Sequence, residues 1–391
     1  MDEPYWSKSV HNLRFSVIRE MSLLAADLEG VINLGIGEPD FDTPDIITKR
    51  AFEDALSGHT HYTASQGDPE LLDKLAVSVS NATGITVTTS SILITHGGMG
   101  ALAAALKTIL EPGDQVILPE PHFPDYMAHI ALAEGIAIKV PTTFEDKYIP
   151  CPENIDRAVT GKTKVILLNS PNNPTGAVIP GNILDSIAEI AVRRNLIVIS
   201  DEVYDQILYE QPFHSIYTRP GMTSRTIVIK SFSKSHAMTG WRVGYCIGPP
   251  AFIKQILKVV NYSTACASSV SQRAAIAALD LDPLIIERMK DRFSRRIDLV
   301  CSRLTAMKGI RVNKPKGSFY ILADIREITG QSQTFARALL KDAKVVVIPG
   351  YAFGNTGEGA IRIACTQTSM ILSEAMDRIE LFLDHYHPAN Q

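Results

Sequence analysis

The chain has 391 residues, of which 45% are hydrophobic and 20% charged, and its formal net charge at pH 7 is −4. This length predicts two or three domains, and the composition excludes a disordered chain. The sequence has no polybasic stretch, no uncharged apolar run of about 20 residues, and a polar, acidic start (MDEPYWSKSV). We therefore expect neither nucleic acid nor a membrane as a partner, and no signal peptide.

The cysteines are five in number, widely spaced, and form no C-x-x-C pair. This pattern excludes a disulfide framework and a zinc site, and it fits a reducing, cytoplasmic compartment. The histidines likewise show no metal-ligand spacing with acidic or sulfur partners, so we predict no metal.

From about residue 90 to 250, short apolar runs alternate with amphipathic stretches of helical length. Near-continuous apolar strands separated by helices predict a mostly parallel sheet that is buried on both faces. The last strand follows Lys234 too closely for a helical crossover, so we expect it to pair antiparallel. The predicted strands are 91–95, 115–118, 164–168, 196–200, 226–229 and 243–247, and the predicted helices are 98–110, 126–133 and 183–195.

A long helical stretch at 251–280, with a break near 264–268, leads to a region with a different pattern. Its predicted helices are 283–308, 334–341 and 369–386, and its predicted strands are 319–322, 345–348 and 360–364. This pattern is typical of a smaller α+β domain, against which the N-terminal residues fold. We therefore predict a large α/β domain at 45–282 and a small domain formed by 1–44 together with 283–391.

The carboxyl ends of the predicted strands carry a distinctive set of residues, and ligands of open parallel sheets bind at that edge. In chain order they are a glycine turn before a helix (HGGMG, 96–100), Phe123, the segment NSPNNPTG (169–176), Asp201, and Lys234 between serines. Each alone has a more ordinary explanation: a plain connection, a core ring, a turn cap and a surface charge. Together they match pyridoxal phosphate, which offers a phosphate, an aldehyde, a pyridine nitrogen and a flat ring. The segment GIG at 35–37 lacks the third glycine of a dinucleotide-binding motif and is followed by Glu-Pro, which argues against a dinucleotide site there.

Longer motifs strengthen this interpretation. They are GEPDFDTP (37–44), YTASQGDPEL (62–71), NSPNNPTGAV (169–178), SDEVYDQILYE (200–210), SFSKSHAMTGWRVGY (231–245) and IRIACTQT (361–368). In these motifs, over nearly its whole length, the sequence resembles the class I aminotransferases of the fold-type-I pyridoxal-phosphate enzymes. The resemblance implies amino-group transfer from an L-amino acid to a 2-oxo acid by a two-stage ping-pong mechanism, in amino-acid metabolism. It also implies a homodimer with shared active sites.

The resemblance further implies a role for each site residue. Lys234 holds the cofactor as a Schiff base and then carries the proton, while Asp201 pairs with the pyridine nitrogen. Asn173 and Tyr204 bind the ring oxygen and tune the Schiff base, so Tyr204 counts as catalytic with Lys234 and Asp201. Phe123 stacks on the ring. Tyr62 reaches the phosphate of the neighbouring subunit, and Arg362 with the Gly37 backbone takes the α-carboxylate of the substrate. The phosphate itself is bound by Gly98, Met99, Ser231, Ser233 and Arg242, although many relatives have a hydroxyl or lysine at the position of Met99.

Several alternatives stay open. One is a C–S β-lyase on the same scaffold, which uses the same lysine and aspartate. Another is a cofactor-binding regulator without turnover. Such a regulator would need a DNA-binding module, and the roughly 30 residues before GIGEPDFDTP are too few for one.

Three single residues also carry expectations. His236 is expected to be structural. Lys107 is either a solvated lysine on a helix or the partner of a distal substrate carboxylate. Since Val259 stands where some dicarboxylate-specific relatives have arginine, we expect neutral or aromatic amino acids to be at least as good donors as aspartate.

Overall fold

The largest element of the fold is a seven-stranded sheet. It is seen in a computed structural model that describes residues 5–387 apart from 12, 14, 27 and 211. The strands of this sheet and of the smaller sheets are β1 (Ile32–Asn33), β2 (Ile92–Thr95), β3 (Gln115–Glu120), β4 (Ile136–Pro141), β5 (Thr163–Asn169), β6 (Ile197–Asp201), β7 (Thr226–Ser231), β8 (Gly244–Ile247), β9 (Arg311–Val312), β10 (Tyr320–Asp324), β11 (Val345–Val346), β12 (Ile348–Pro349) and β13 (Ala360–Ala364).

Helices flank the sheet and make up most of the remaining structure. They are α1 (Lys8–His11), α2 (Val17–Ala26), α3 (Asp45–Leu56), α4 (Pro69–Thr83), α5 (Gly97–Ile109), α6 (Asp125–Leu132), α7 (Pro152–Ala158), α8 (Gly181–Arg193), α9 (Phe232–Ser235), α10 (Pro250–Thr264), α11 (Ser269–Leu279), α12 (Pro283–Ala306), α13 (Ser332–Ala343) and α14 (Ser369–His385). Local chemistry sets their ends. For example, the Asp68 side chain accepts from the Glu70 amide at the start of α4, and Gly84 ends that helix with a φ of 69°.

The seven strands lie in the order β2-β8-β7-β6-β5-β3-β4. Strand β8 pairs antiparallel with both β2 and β7, and the other neighbours pair parallel. The predicted α/β fold class and the antiparallel last strand are therefore confirmed. Strand β4 was not predicted: it lies at the edge of the sheet, and only one of its six residues is buried, so it lacks the continuous apolar run of the inner strands.

A second, four-stranded antiparallel sheet has the order β12-β13-β10-β9, and β1 pairs parallel with β11. The predicted strand at 345–348 is two short strands, because β11 pairs with β1 whereas β12 pairs with β13. The predicted break between α10 and α11 is confirmed. Among the helices that the structure describes, none has the length and apolarity needed to cross a membrane.

Candidate active site

A cavity of about 320 Å³ lies where the carboxyl ends of β5, β6 and β7 face the smaller sheet. The large sheet supplies the residues at its strand ends, and α5 supplies its first turn. Tyr320 and Arg362 come from β10 and β13 of the smaller sheet. Its volume is in the range of small-molecule sites, about 300–1,000 Å³. The predicted residues that line it are Gly37, Gly98, Met99, Phe123, Asn173, Asp201, Tyr204, Ser231, Ser233, Lys234, Arg242 and Arg362.

Lys234 lies on the one-turn helix α9, where the Ser231 side chain accepts a hydrogen bond from the Ser233 amide. Its Nζ donates a 2.6 Å hydrogen bond to the carbonyl oxygen of Gly37. Burial lowers the pKa of the amine to about 8, and the charges of Arg362 and Arg242 act in the same direction, against those of Glu38 and Asp201. A lysine with a lowered pKa has more of the neutral amine near pH 7, which is the form that reacts with an aldehyde.

Asp201, at the end of β6, is a buried carboxylate that accepts two hydrogen bonds. Oδ2 accepts from the Tyr126 hydroxyl at 2.7 Å, and Oδ1 accepts from the Val203 amide at 3.2 Å. Burial raises the pKa of this carboxyl to about 6, although both hydrogen bonds and the charge of Lys234 oppose the shift. A cation against this carboxylate would favour its charged form.

Arg362 is a buried cation of β13, with 1% of its surface exposed. Its guanidinium donates to Oδ1 of Asn173 at 3.0 Å and to the carbonyl oxygen of Gly35 at 2.5 Å. In the described part of the chain no carboxylate forms an ion pair with it, and its Nε, which is buried, has no hydrogen-bond partner. A buried guanidinium without a counter-anion is suited to bind the carboxylate of a ligand.

One part of the cavity wall is suited to an anion. Helix α5 begins at Gly97, one residue after β2, and Gly98 and Met99 of its first turn line the cavity together with Ser231, Ser233 and Arg242. Gly97 has a φ of +67°, and a Cβ there would lie 2.9 Å from Nη2 of Arg242. Free amides at a helix N-terminus with a nearby arginine form a phosphate site.

These residues fit pyridoxal phosphate. A reactive amine, a buried carboxylate, an anion-binding helix N-terminus and an unpaired arginine surround one cavity, and Phe123 lines its wall. When bound, this cofactor supplies an electron-accepting ring for chemistry at the α-carbon of an amino acid.

Two predicted residues lie elsewhere. Tyr62 is 90% exposed and does not line the cavity. Lys107 lines a separate cavity between α5 and α10, together with Val259.

His236 is buried, and its Nδ1 lies 2.8 Å from Oγ of Ser235. Burial lowers its pKa to about 4. It is therefore neutral near pH 7, as befits a structural residue.

Other lining residues were not predicted as site residues. Tyr126 and Tyr320 approach Asp201 and Tyr204 across 75 and 116 residues of sequence, and no local motif indicates such contacts. Ser16, Ile18 and Arg19 bring the N-terminal segment to the cavity. Arg19 is a basic residue of the amphipathic helix α2, and nothing in the surrounding sequence indicates that it lines a cavity.

Comparison with known proteins gives a consistent result. The profile of the family "Aminotransferase class I and II" matches residues 29–379. An aspartate aminotransferase of Pyrococcus horikoshii is 38% identical over 376 residues, covering 95% of both chains. An aromatic-amino-acid aminotransferase of Thermococcus litoralis is 39% identical and covers 94% of this chain and 95% of its own. The structure of Thermus thermophilus aspartate aminotransferase with maleate superposes with a TM-score of 0.93 at 34% identity, covering 97% of this chain and all of the other.

Proposed function

We propose a role for each residue of the cavity, because the chain belongs to the class I and II aminotransferases. It is thus a pyridoxal-phosphate enzyme that transfers an amino group from an L-amino acid to a 2-oxo acid. The observation that carries the assignment is the position of Lys234. Its amine, with a pKa of about 8, shares one cavity with the Asp201 carboxylate and the unpaired Arg362.

Lys234 would hold the cofactor through its Nζ, and its amine would move the proton at the α-carbon of the substrate. Proton transfer by a positioned side chain typically contributes about 10²–10⁴-fold to a rate. Its 2.6 Å hydrogen bond to the Gly37 carbonyl supports this role, because it anchors the amine at the side of the cavity where Gly37 and Arg362 lie.

Asp201 pairs with the pyridine nitrogen and keeps it protonated. Arg362 binds the α-carboxylate of the substrate, together with Asn173 and the Gly37 backbone. This contact fixes the orientation of the α-carbon bond that is broken, and orientation of this kind lowers the barrier. The hydrogen bond from Arg362 to Asn173 supports the assignment, because it fixes the plane of the guanidinium fork.

The other contacts of the cavity would hold the cofactor and tune its reactivity. Asn173 and Tyr204 bind the ring oxygen, and Phe123, whose ring lies edge-on to Tyr126 with centroids 5.6 Å apart, stacks on the ring. The phosphate is held by the amides of Gly98 and Met99, by Ser231, Ser233 and Arg242, and by a tyrosine from a second copy of the chain. A methionine side chain offers no hydrogen-bond donor, so only the amide of Met99 contributes.

The active unit in this proposal is a homodimer with two shared sites. Tyr62 and Tyr262 are 90% and 89% exposed, and large exposed aromatic side chains of this kind mark protein interfaces. The Ser65 hydroxyl donates to Oδ1 of Asn261 at 2.8 Å, which joins the segments that carry the two tyrosines. Tyr62 then completes the phosphate site of the partner subunit.

Two further proposals concern organisation and location. Residues 45–282 form the large domain, and 1–44 with 283–391 the small one. Residues 1–4, 12, 14, 27, 211 and 388–391 lie outside the described residues. The hydrophobic cores support this division: one combines residues from Met21 to Leu34 with others from Ile297 to Phe382, whereas the cores around the large sheet contain residues between Ile47 and Leu281. The five free cysteines support a cytoplasmic location.

A panel of amino donors tests the activity. The loaded enzyme should convert several L-amino acids to their 2-oxo acids once per active site without an acceptor, and continuously with 2-oxoglutarate or pyruvate. Continuous release of ammonia and pyruvate without any acceptor would instead identify a β-lyase.

A further inference from the structure

Tyr320 lines the cavity and contacts both Tyr204 and Arg362. It is 2% exposed, its hydroxyl lies 3.1 Å from that of Tyr204, and its ring lies 4.5 Å from Cζ of Arg362. It also packs against Gly37, where an added Cβ would collide with the tyrosine hydroxyl. One side chain therefore contacts the residues proposed for the ring oxygen and for the α-carboxylate.

We propose that Tyr320 is a positioning residue for transamination. Its hydroxyl fixes Tyr204 as a hydrogen-bond donor toward the cofactor, and its ring fixes the Arg362 guanidinium toward the substrate. This inference rests on the roles proposed above for Tyr204 and Arg362.

The argument for the hydroxyl depends on counting protons. Burial raises the pKa of both tyrosines, so each keeps its single proton. Either hydroxyl can donate across the 3.1 Å contact in the protein alone. When Tyr204 donates its proton to the ring oxygen, however, its own oxygen must accept from Tyr320. An accepted hydrogen bond strengthens the one that is donated, by about 10–30%.

The argument for the ring depends on charge. Arg362 is buried and forms no ion pair with a carboxylate in the described chain, and burial lowers its pKa. The faces of Tyr320 and Phe353, with centroids 4.5 and 4.9 Å from Cζ, supply the attraction of aromatic quadrupoles instead. These contacts hold the guanidinium in place before the substrate arrives.

Three variants separate the two contributions. Tyr320→Phe removes only the hydroxyl, and Tyr320→Leu removes the ring as well, with Tyr320→Met as a second ring-free variant if the leucine protein does not fold. The matched control is Tyr217→Phe, because Tyr217 is also buried, with 5% of its surface exposed, but does not line the cavity. The measurements are the pKa of the Schiff-base nitrogen, from absorbance titration of the loaded enzyme, and the dissociation constant of succinate, a carboxylate that cannot react.

Tyr320→Phe should raise the Schiff-base pKa by about 0.1–0.5, because a weaker donor leaves more negative charge on the ring oxygen beside the nitrogen. It should leave succinate binding unchanged, and Tyr217→Phe should change neither quantity. The ring-free variants should weaken succinate binding by about threefold or more relative to Tyr320→Phe. These results would support both parts of the proposal.

An unchanged or lowered pKa in Tyr320→Phe would overturn the role of the hydroxyl, and equal succinate binding in Phe, Leu and Met variants would overturn the role of the ring. Either failure leaves the proposed function intact as long as the wild-type cofactor band titrates and is lost in Lys234→Ala. If wild type and Lys234→Ala give the same spectrum, the proposed role of Lys234 is wrong and Tyr320 has no such function.

Discussion

The hydroxyl of Tyr126 donates a 2.7 Å hydrogen bond to Oδ2 of Asp201, and both side chains are buried. Tyr126 lies in the first turn of α6 and Asp201 at the end of β6, so the contact connects the helix that follows β3 to the end of β6. It stabilises the charged carboxylate, whose pKa burial would otherwise raise further. In the role proposed for Asp201, Tyr126 therefore favours the charged form that would pair with a pyridinium.

The first prediction concerns this pair. Asp201 has a raised pKa of about 6, so the affinity of the cofactor-free protein for pyridoxal phosphate should fall as the pH drops through about 6. Tyr126→Phe removes a stabilising donor and should move this midpoint upward by about one unit. Asp201→Asn should keep the fold, lose most activity and remove the part of the pH dependence that comes from this carboxyl. Fluorescence titration of binding against pH measures it, and an unmoved midpoint in Tyr126→Phe would show that the hydrogen bond has no such effect.

The second prediction concerns the substrate carboxylate. Arg362→Lys keeps the positive charge but loses the two-pronged fork and the bond to Asn173, so the dissociation constant of succinate should rise by about ten- to a hundredfold. Cofactor affinity should be unchanged, since Arg362 is not proposed to hold the phosphate. Spectral titration of the loaded enzyme gives both values. Equal succinate affinity in the lysine variant would place the α-carboxylate elsewhere.

The third prediction concerns the dimer. If Tyr62 completes the site of the partner subunit, mixing Tyr62→Phe chains with Lys234→Ala chains creates heterodimers with one intact site. Random pairing should then restore about a quarter of wild-type sites from two weakly active proteins. The control mixes wild-type chains with chains that carry both substitutions. In these heterodimers neither site has both Tyr62 and Lys234. A monomer in solution, or mixing without any recovery, contradicts the shared-site proposal.

The fourth prediction concerns the substrate range. Ile18, Met99 and Leu102 give the cavity an apolar wall, so phenylalanine, methionine and alanine are still expected to be at least as good donors as aspartate. Arg19, however, also lines this cavity, whereas Lys107 lines another. Arg19→Gln should lower kcat/KM for aspartate by about fivefold and leave phenylalanine unchanged, because an exposed ion pair contributes at most about 1 kcal/mol. Lys107→Gln is the control, and a selective loss of aspartate activity in that variant would return the distal carboxylate to Lys107.

Much of the cavity could be predicted from the sequence because parallel strands end at one edge of a sheet. The residue after each apolar run, such as Asp201 or Asn169, is therefore brought to the same place by topology alone. Contacts between distant segments could not be predicted in this way. Tyr320 lies on a core strand whose five residues are all buried, and its hydroxyl becomes informative only when Tyr204 is placed 3.1 Å away. Tyr62 is different again, because the contact proposed for it requires a second chain.

The covalent attachment of the cofactor tests the central claim most directly. The loaded protein is reduced with borohydride, digested and mapped by mass spectrometry, with Lys230→Gln as a control, because Lys230 lies on the same segment but forms a 2.5 Å ion pair with Asp205. We predict that the pyridoxyl group is found on the peptide that contains Lys234, in wild type and in Lys230→Gln, and is absent from Lys234→Ala. An adduct at any other lysine, or an undiminished adduct in Lys234→Ala, would contradict the assignment of this cavity.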